Sequence, residues 1–267
     1  MTAAIDRVST VLGDLAFAGA EFIYCHASLK DLGLSVDDAR ALVDRIRWAN
    51  RGPCTLVIPS FPFGENVEYA AYVSRPELDF DVVRTPARVN LFGEIFRRRP
   101  EARRSLHPIM TVCADGPKAD DLIAESHLDE LPFGPRSVFQ RMAVRKTCVL
   151  GLGVNFNTGS FIHAVDDAFA DQFPYPLYSE KPIACRLLRD GMYVGTRVYR
   201  AITPDVRRSI KPIRLHALIQ GKPFYRFVDG PMPFYGLDVQ PFMEFGRSLA
   251  ASAFNDGGLP VWHQPRV

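Results

Sequence analysis

The sequence predicts an α/β protein organised around a parallel sheet. Two observations carry this. Apolar runs of strand length alternate with amphipathic helical stretches along the 267 residues, and the first strand, helix, strand unit has the spacing of a parallel pair joined by a crossover helix. The composition, 47% hydrophobic and 23% charged, is that of a chain that buries a full core.

Taken in order, residues 5–18 read as an amphipathic helix and EFIYCH (21–26) as a buried strand. Ser35 followed by Asp38 is a capping signal for the helix VDDARALVDRIRWAN (36–50), and CTLVIPS (54–60) is a strand closed by Pro59. From Phe61 to Ala87 the periodicity lapses, which predicts a long structured excursion of the kind that holds function. A helix NLFGEIFRRR (90–99) ends before Pro100, and a strand IMTVCAD (109–115) is broken by Gly116 and Pro117 before a short helix KADDLIAES (118–126). TCVLGLG (147–153) is a further strand, followed later by PIACRLL (182–188) and MYVGTRVYR (192–200). The aromatic, Pro-rich stretch from Lys222 to Pro241 reads as a packed cover over a cleft, because no basic residues interleave its rings as a base-stacking surface requires. A helix in EFGRSLAASAF (244–254) closes the chain. No repeat, low-complexity tract or linker divides it, so a single domain over 1–267 is expected.

A formal net charge of +2 is too small to steer the whole molecule toward nucleic acid. Asp6, Asp14 and Glu21 interrupt every apolar run near the N-terminus, which excludes a secretory core or membrane span there and predicts a cytoplasmic protein with no membrane partner. The five cysteines form no C-x-x-C pair and read as reduced, buried thiols.

The strands ending in YCHASL, VIPS and LGLGVNFNTG would align their carboxyl ends on one sheet edge, where open α/β proteins bind ligands. That brings His26, Ser28, Ser60 and His163 toward one crevice. His163 stands three residues before Asp166 and four before Asp167, so on a helix either acid can lie beside the imidazole; the same spacing also fits a solvated helix face. Gly151 and Gly153 make only a partial dinucleotide fingerprint, with Phe156 where a third small residue is needed, and no P-loop motif occurs. Arg97, Arg98, Arg99, Arg103 and Arg104 admit two readings, a phosphate clamp or basic residues complementing a helix C-terminus. His26, His107, His163 and Asp166 lack zinc-ligand spacing, so no metal is expected, and Cys25 and His26, adjacent in a strand, point to opposite faces.

Six phrases in order resemble the aminoglycoside 3-N-acetyltransferase, or antibiotic N-acetyltransferase, family. They are CHASLKDLG, CTLVIPSF, RRPEARRSLHPIMTVCADG, FGPRSVFQRM, VLGLGVNFNT and IHAVDD, within residues 1–185. The resemblance implies a mixed α/β fold with a mainly parallel central sheet flanked by helices, and acetyl transfer from acetyl-CoA to the primary amine of a small molecule. By that likeness His163 is the general base, with Asp166 or Glu180 as its carboxylate partner and Asp167 third. His107 is either a second polar residue of the site or a brace for the turn before Pro108. His26, Ser28, Leu29, Lys30, Arg103, Arg104, Ser105, Phe133, Gly134 and Ser137 would line the CoA channel. Ser60, Thr158 and Asp167 would face the acceptor, and a backbone N–H near Ser28 or the Thr158 hydroxyl would stabilise the oxyanion.

The sequence departs from the family pattern at Ala27, Val138 and Asp166, and in one extra residue before His163, which turns a helical side chain by about 100°. Asp166, Asp167, Asp171 and Glu180 would suit a polycationic aminoglycoside, whereas the basic segment RRSIKPIRLH (207–216) would suit an anionic acceptor such as a nucleotide-linked amino sugar. A CoA-binding sensor without chemistry and a deacylase acting on water are the rival functions. Monomer and homodimer remain equally open.

Overall fold

The computed structural model describes residues 3–15, 17–64, 67–156, 159–230 and 232–263. Its strands are β1 (Phe22–Ala27), β2 (Thr55–Pro59), β3 (Glu77–Asp81), β4 (Arg103–Arg104), β5 (Val112–Asp115), β6 (Thr147–Leu152), β7 (Ile183–Arg189), β8 (Met192–Tyr199), β9 (Tyr225–Val228) and β10 (Phe234–Asp238). The helices are α1 (Ala3–Asp14), α2 (Leu29–Leu32), α3 (Val36–Asn50), α4 (Tyr69–Val73), α5 (Leu91–Arg97), α6 (Ala119–Ile123), α7 (Val138–Ala143), α8 (Phe161–Asp167), α9 (Pro204–Ser209), α10 (Ile213–Ile219) and α11 (Val239–Asn255).

Seven strands form a mixed central sheet in the order β4-β5-β2-β1-β6-β10-β9. Its centre is parallel, β1 pairing with β2 and with β6, as the spacing of the first crossover predicts. The outer strands β5, β4, β10 and β9 run antiparallel to their neighbours. The crossover helix α3 begins with a complete capping box: Asp38 N–H donates to Ser35 Oγ at 3.2 Å and Ser35 N–H to Asp38 Oδ2 at 3.0 Å. Such a cap stabilises a helix by about 1 kcal/mol.

Alternation along the strands divides the interior. Ile23 and Cys25 of β1, Leu56 and Ile58 of β2, and Cys148 and Leu150 of β6 pack on the side of α1, α3 and α5. Phe22, Tyr24, Val57 and Val149 pack on the other side, with Phe139 of α7, Phe161 of α8 and Phe242 of α11. His26 continues the Phe22, Tyr24 series and therefore faces α8. All five cysteines are buried free thiols.

Two segments differ from expectation. The aromatic stretch from Lys222 to Pro241 is largely sheet and helix rather than a separate cover: YRFV and FYGLD become β9 and β10 and extend the central sheet from β6. Aromatic residues pack well on a pleated surface, and the short runs hide that preference. The excursion after Phe61 contains α4 and β3, and β3 pairs in parallel with β7 in a separate three-stranded sheet, β3-β7-β8. Its pattern, ELDFD, buries only Leu78, Phe80 and Asp81, too short an alternation to stand out.

The two glycines of the partial fingerprint have structural causes. A Cβ on Gly151 would lie 1.9 Å from the Tyr235 ring of β10, and Gly153 adopts a left-handed φ of 66°. Among the described residues no helix is long and apolar enough to cross a membrane.

Candidate active site

Two adjoining cavities, of about 460 and 340 Å³, share Tyr69, His163 and Arg207 in their walls. The smaller is closed by His26, Phe61, Phe63, Met110 and Ser160, and the larger by Glu68, Arg208, Ile210 and Pro212. Strand direction explains the location. β1 delivers His26, β2 runs into Phe61 and Phe63, and β6 leads to α8 with Ser160 and His163, so one cleft opens beyond the carboxyl ends of all three parallel strands.

His26 is 5% exposed, with the Tyr24 ring edge-on at 4.9 Å and, among the described residues, no hydrogen-bond partner for Nε2. Burial depresses its pKa to about 3. Tyr24 in turn donates to Ser160 Oγ at 3.3 Å, joining β1 to the start of α8. His163 sits beside Phe133, ring centroids 5.3 Å apart, and its buried Nδ1 has no partner among the described residues. Its pKa is lowered to about 3, first by burial, then by the charges of Arg207 and His263. The imidazole is therefore neutral at pH 7, with a lone pair free to accept a proton. Arg207 lies over the Tyr69 ring at 4.1 Å and near Phe63 at 5.2 Å.

The carboxylates expected beside His163 lie elsewhere. Asp166 is 3% exposed; it accepts from Trp262 Nε1 at 2.8 Å and pairs with His263 Nε2 at 3.1 Å, while the Tyr175 hydroxyl reaches His263 Nδ1 at 3.3 Å. The same tail bridges to α9 and α10: Lys211 N–H donates to the Trp262 carbonyl at 2.6 Å, and His263 pairs with Ile210. Asp167 accepts from the Tyr178 hydroxyl at 2.5 Å, and burial raises its pKa. Glu180 is exposed, its carbonyl taken by Arg200. Neither Asp167 nor Glu180 lines the cleft.

His107 is a brace. Ile109 N–H donates to its Nδ1 at 3.2 Å, its ring packs on Tyr199 at 4.6 Å, and burial lowers its pKa to about 4. The turn it holds places Met110, at a left-handed φ of 56°, in the cavity wall.

Other expected residues support the fold around the cleft without lining it. Ser28 caps α2, accepting from Asp31 N–H at 3.3 Å, and its own N–H donates to the Leu152 carbonyl at 3.0 Å, which removes that N–H as an oxyanion donor. Leu29 is buried in the cluster beside α3, whereas Lys30 is exposed. Ser60 is buried, and its carbonyl accepts from Arg104 Nη2 at 2.6 Å. Arg104 is 7% exposed, stacks on Phe80 at 5.0 Å and also donates to the Thr85 carbonyl; burial lowers its pKa to about 10. Ser105 is bonded to Thr111 at 3.2 Å, and exposed Arg103 donates to the Pro100 carbonyl at 3.0 Å. Phe133 is buried against Phe139 and His163, Gly134 packs on Asp129, and Ser137 caps α7. Thr158 lies outside the described residues. Among those described, no three His, Cys, Asp or Glu side chains are grouped to hold a metal ion.

A family model described as aminoglycoside 3-N-acetyltransferase matches residues 25–220, most of the chain and every wall of the cleft. The chain belongs to this family. It is 24% identical to aminoglycoside N(3)-acetyltransferase IX of Micromonospora chalcea, over 77% of this chain and 78% of that one. Its fold is similar to that of AAC-VIa bound to sisomicin, with a TM-score of 0.71, 21% identity and coverage of 93% and 97% of the two chains. It is likewise similar to AAC-IIIb in a binary complex with CoASH, with a TM-score of 0.72, 19% identity and coverage of 92% and 95%. N-acetyl transfer, the reaction of the aminoglycoside 3-N-acetyltransferase family, is thus the enzyme class of this chain.

Two residues of the cleft wall, Tyr69 and Arg207, carry no distinguishing signal in the sequence. Tyr69 falls in the aperiodic excursion. Arg207 stands in the run of basic residues, yet nothing local separates it from Arg208, which turns to Asp205.

Proposed function

We propose that this protein transfers an acetyl group from acetyl-CoA directly to the primary amine of a small molecule, such as an amino sugar or aminoglycoside, within a ternary complex. The observation that carries the reading is His163, neutral and with a buried nitrogen unpartnered among the described residues, in the wall of a cleft at the carboxyl ends of the parallel strands. The amine nitrogen attacks the thioester carbonyl, the new C–N bond forms as the C–S bond breaks, His163 takes the proton that the nitrogen loses, and that proton returns to the departing thiolate. His26, without a partner for Nε2 among the described residues, lines the same cavity and serves as a polar contact for either substrate. Burial keeps both rings neutral and able to accept a proton, and it makes the protonated intermediate costly.

The test is thiol release from acetyl-CoA over a panel of amines. Amine-dependent release with acetylated amine as product is the expected result. Release that needs no amine would mean a deacylase. CoA binding without release on any amine would favour a sensor.

A further inference from the structure

Arg207 is a cation in search of a counter-ion. Its guanidinium stands where the two cavities meet, held over the faces of Tyr69 and Phe63, and among the described residues no carboxylate lies within ion-pair distance of it. Several other arginines have carboxylate partners, Arg208 in Asp205, Arg200 in Glu130, Arg226 in Asp238 and Arg97 in Glu94, and buried Arg104, which has none, donates to the Ser60 and Thr85 carbonyls instead. A half-buried charge without an ion partner is disfavoured by desolvation, and the aromatic faces offset only part of that. The sole carboxylate in the described cleft wall is Glu68, which is exposed.

We propose that the acceptor carries an anionic group, phosphate or carboxylate, in addition to its amine, and that Arg207 receives that group as the specificity-determining residue. This rests on the amine-transfer reading above and names its substrate class. The acids that would hold a polycation are engaged or elsewhere: Asp166 with Trp262 and His263, Asp167 with Tyr178, Asp171 and Glu180 exposed and in neither cavity. A phosphate forms charge-assisted, bidentate hydrogen bonds with a guanidinium that an ammonium-rich ligand cannot. The anion also has a second effect. Arg207 disfavours a proton on His163, and an anion seated on Arg207 cancels that repulsion, so the correct acceptor makes the base stronger as it binds.

Three probes share one ring: glucosamine, glucosamine 6-phosphate and 2-amino-2-deoxyglucuronate, with kanamycin as the polycation. Calorimetry at saturating CoA should show at least one anionic sugar binding tenfold or more tighter than glucosamine, the two anionic arms separating phosphate from carboxylate. Arg207→Gln should bring that ratio to within about twofold, and Arg207→Lys should restore part of it. In the wild type, inorganic phosphate should compete with the amine and not with acetyl-CoA, a measurement that stands even if the Gln variant melts early. Competition with acetyl-CoA, or equal or tighter binding of glucosamine or kanamycin than of both anionic sugars, overturns the proposal. Thiol release is read on the same panel. Turnover of kanamycin or glucosamine with no preference for an anion leaves the transfer reading intact and removes this one. An Arg207-dependent preference without release on any amine keeps the anion site and removes the transfer reading.

Discussion

Two histidines are tied to helix α8 and experience contrasting electrostatics. His163, on the helix, faces the cleft between Phe133 and Arg207, and among the described residues no acid pairs with it. His263, brought in by the tail, is 3% exposed and shares Asp166 with Trp262. The carboxylate three residues from the first serves the second. Buried charge needs partners on every side, and Asp166 finds a donor in Trp262 Nε1 and an imidazole at ion-pair distance in His263. A helical spacing of three therefore brings two side chains within reach without deciding which contact forms.

The contrast breaks most visibly at His163. Replacing His163 by Ala should lower turnover by about two to four orders of magnitude while leaving CoA affinity within a few fold, read by thiol release and calorimetry. Near-normal turnover would leave the cleft without its base. Next in size, Asp166→Ala removes the acceptor of Trp262 and the ion partner of His263 and should cost about 3–5 kcal/mol in denaturant unfolding. Unchanged stability with lost turnover would return Asp166 to His163.

Acid sharpens the contrast further. His26, His107 and His163 all have folded pKa values below the ordinary imidazole value of 6.5, about 3, 4 and 3. Between those values the unfolded chain holds protons that the folded one refuses, so stability is complete above pH 6.5 and is lost as pH falls toward 4. Each such histidine contributes a slope of up to about 1.4 kcal/mol per pH unit. His163→Gln should flatten the stability profile between pH 6.5 and 4 by one such slope, and an unchanged slope would place the titration elsewhere. Smallest of all, Glu180→Gln should alter turnover less than about twofold and stability by no more than about 0.5 kcal/mol, as for an ordinary surface substitution. A large loss of turnover there would make Glu180 the missing acid.

What the sequence made legible was local. The capping box of α3, the parallel centre from β1, β2 and β6, and the gathering of His26 and His163 at one edge each depend on patterns a few residues long. The partners of the site depend on pairings between distant segments. Tyr69 meets Arg207 across well over a hundred residues, Trp262 reaches Asp166 from the far end of the chain, and β3 finds β7 in a sheet of its own. The same distance explains Arg104 and Ser105: their motif signals importance, and only the fold assigns Arg104 to the carbonyls of Ser60 and Thr85 rather than to a ligand.

The tail at Trp262 and His263 fastens α8, which carries His163, to the segment following α9, which carries Arg207. A protease that nicked the chain just ahead of Trp262 would unlatch His163 from Arg207 in one cut. The resulting species would be recognisable by a loosened cleft in hydrogen exchange, with the α1 and α3 side of the sheet as well protected as before.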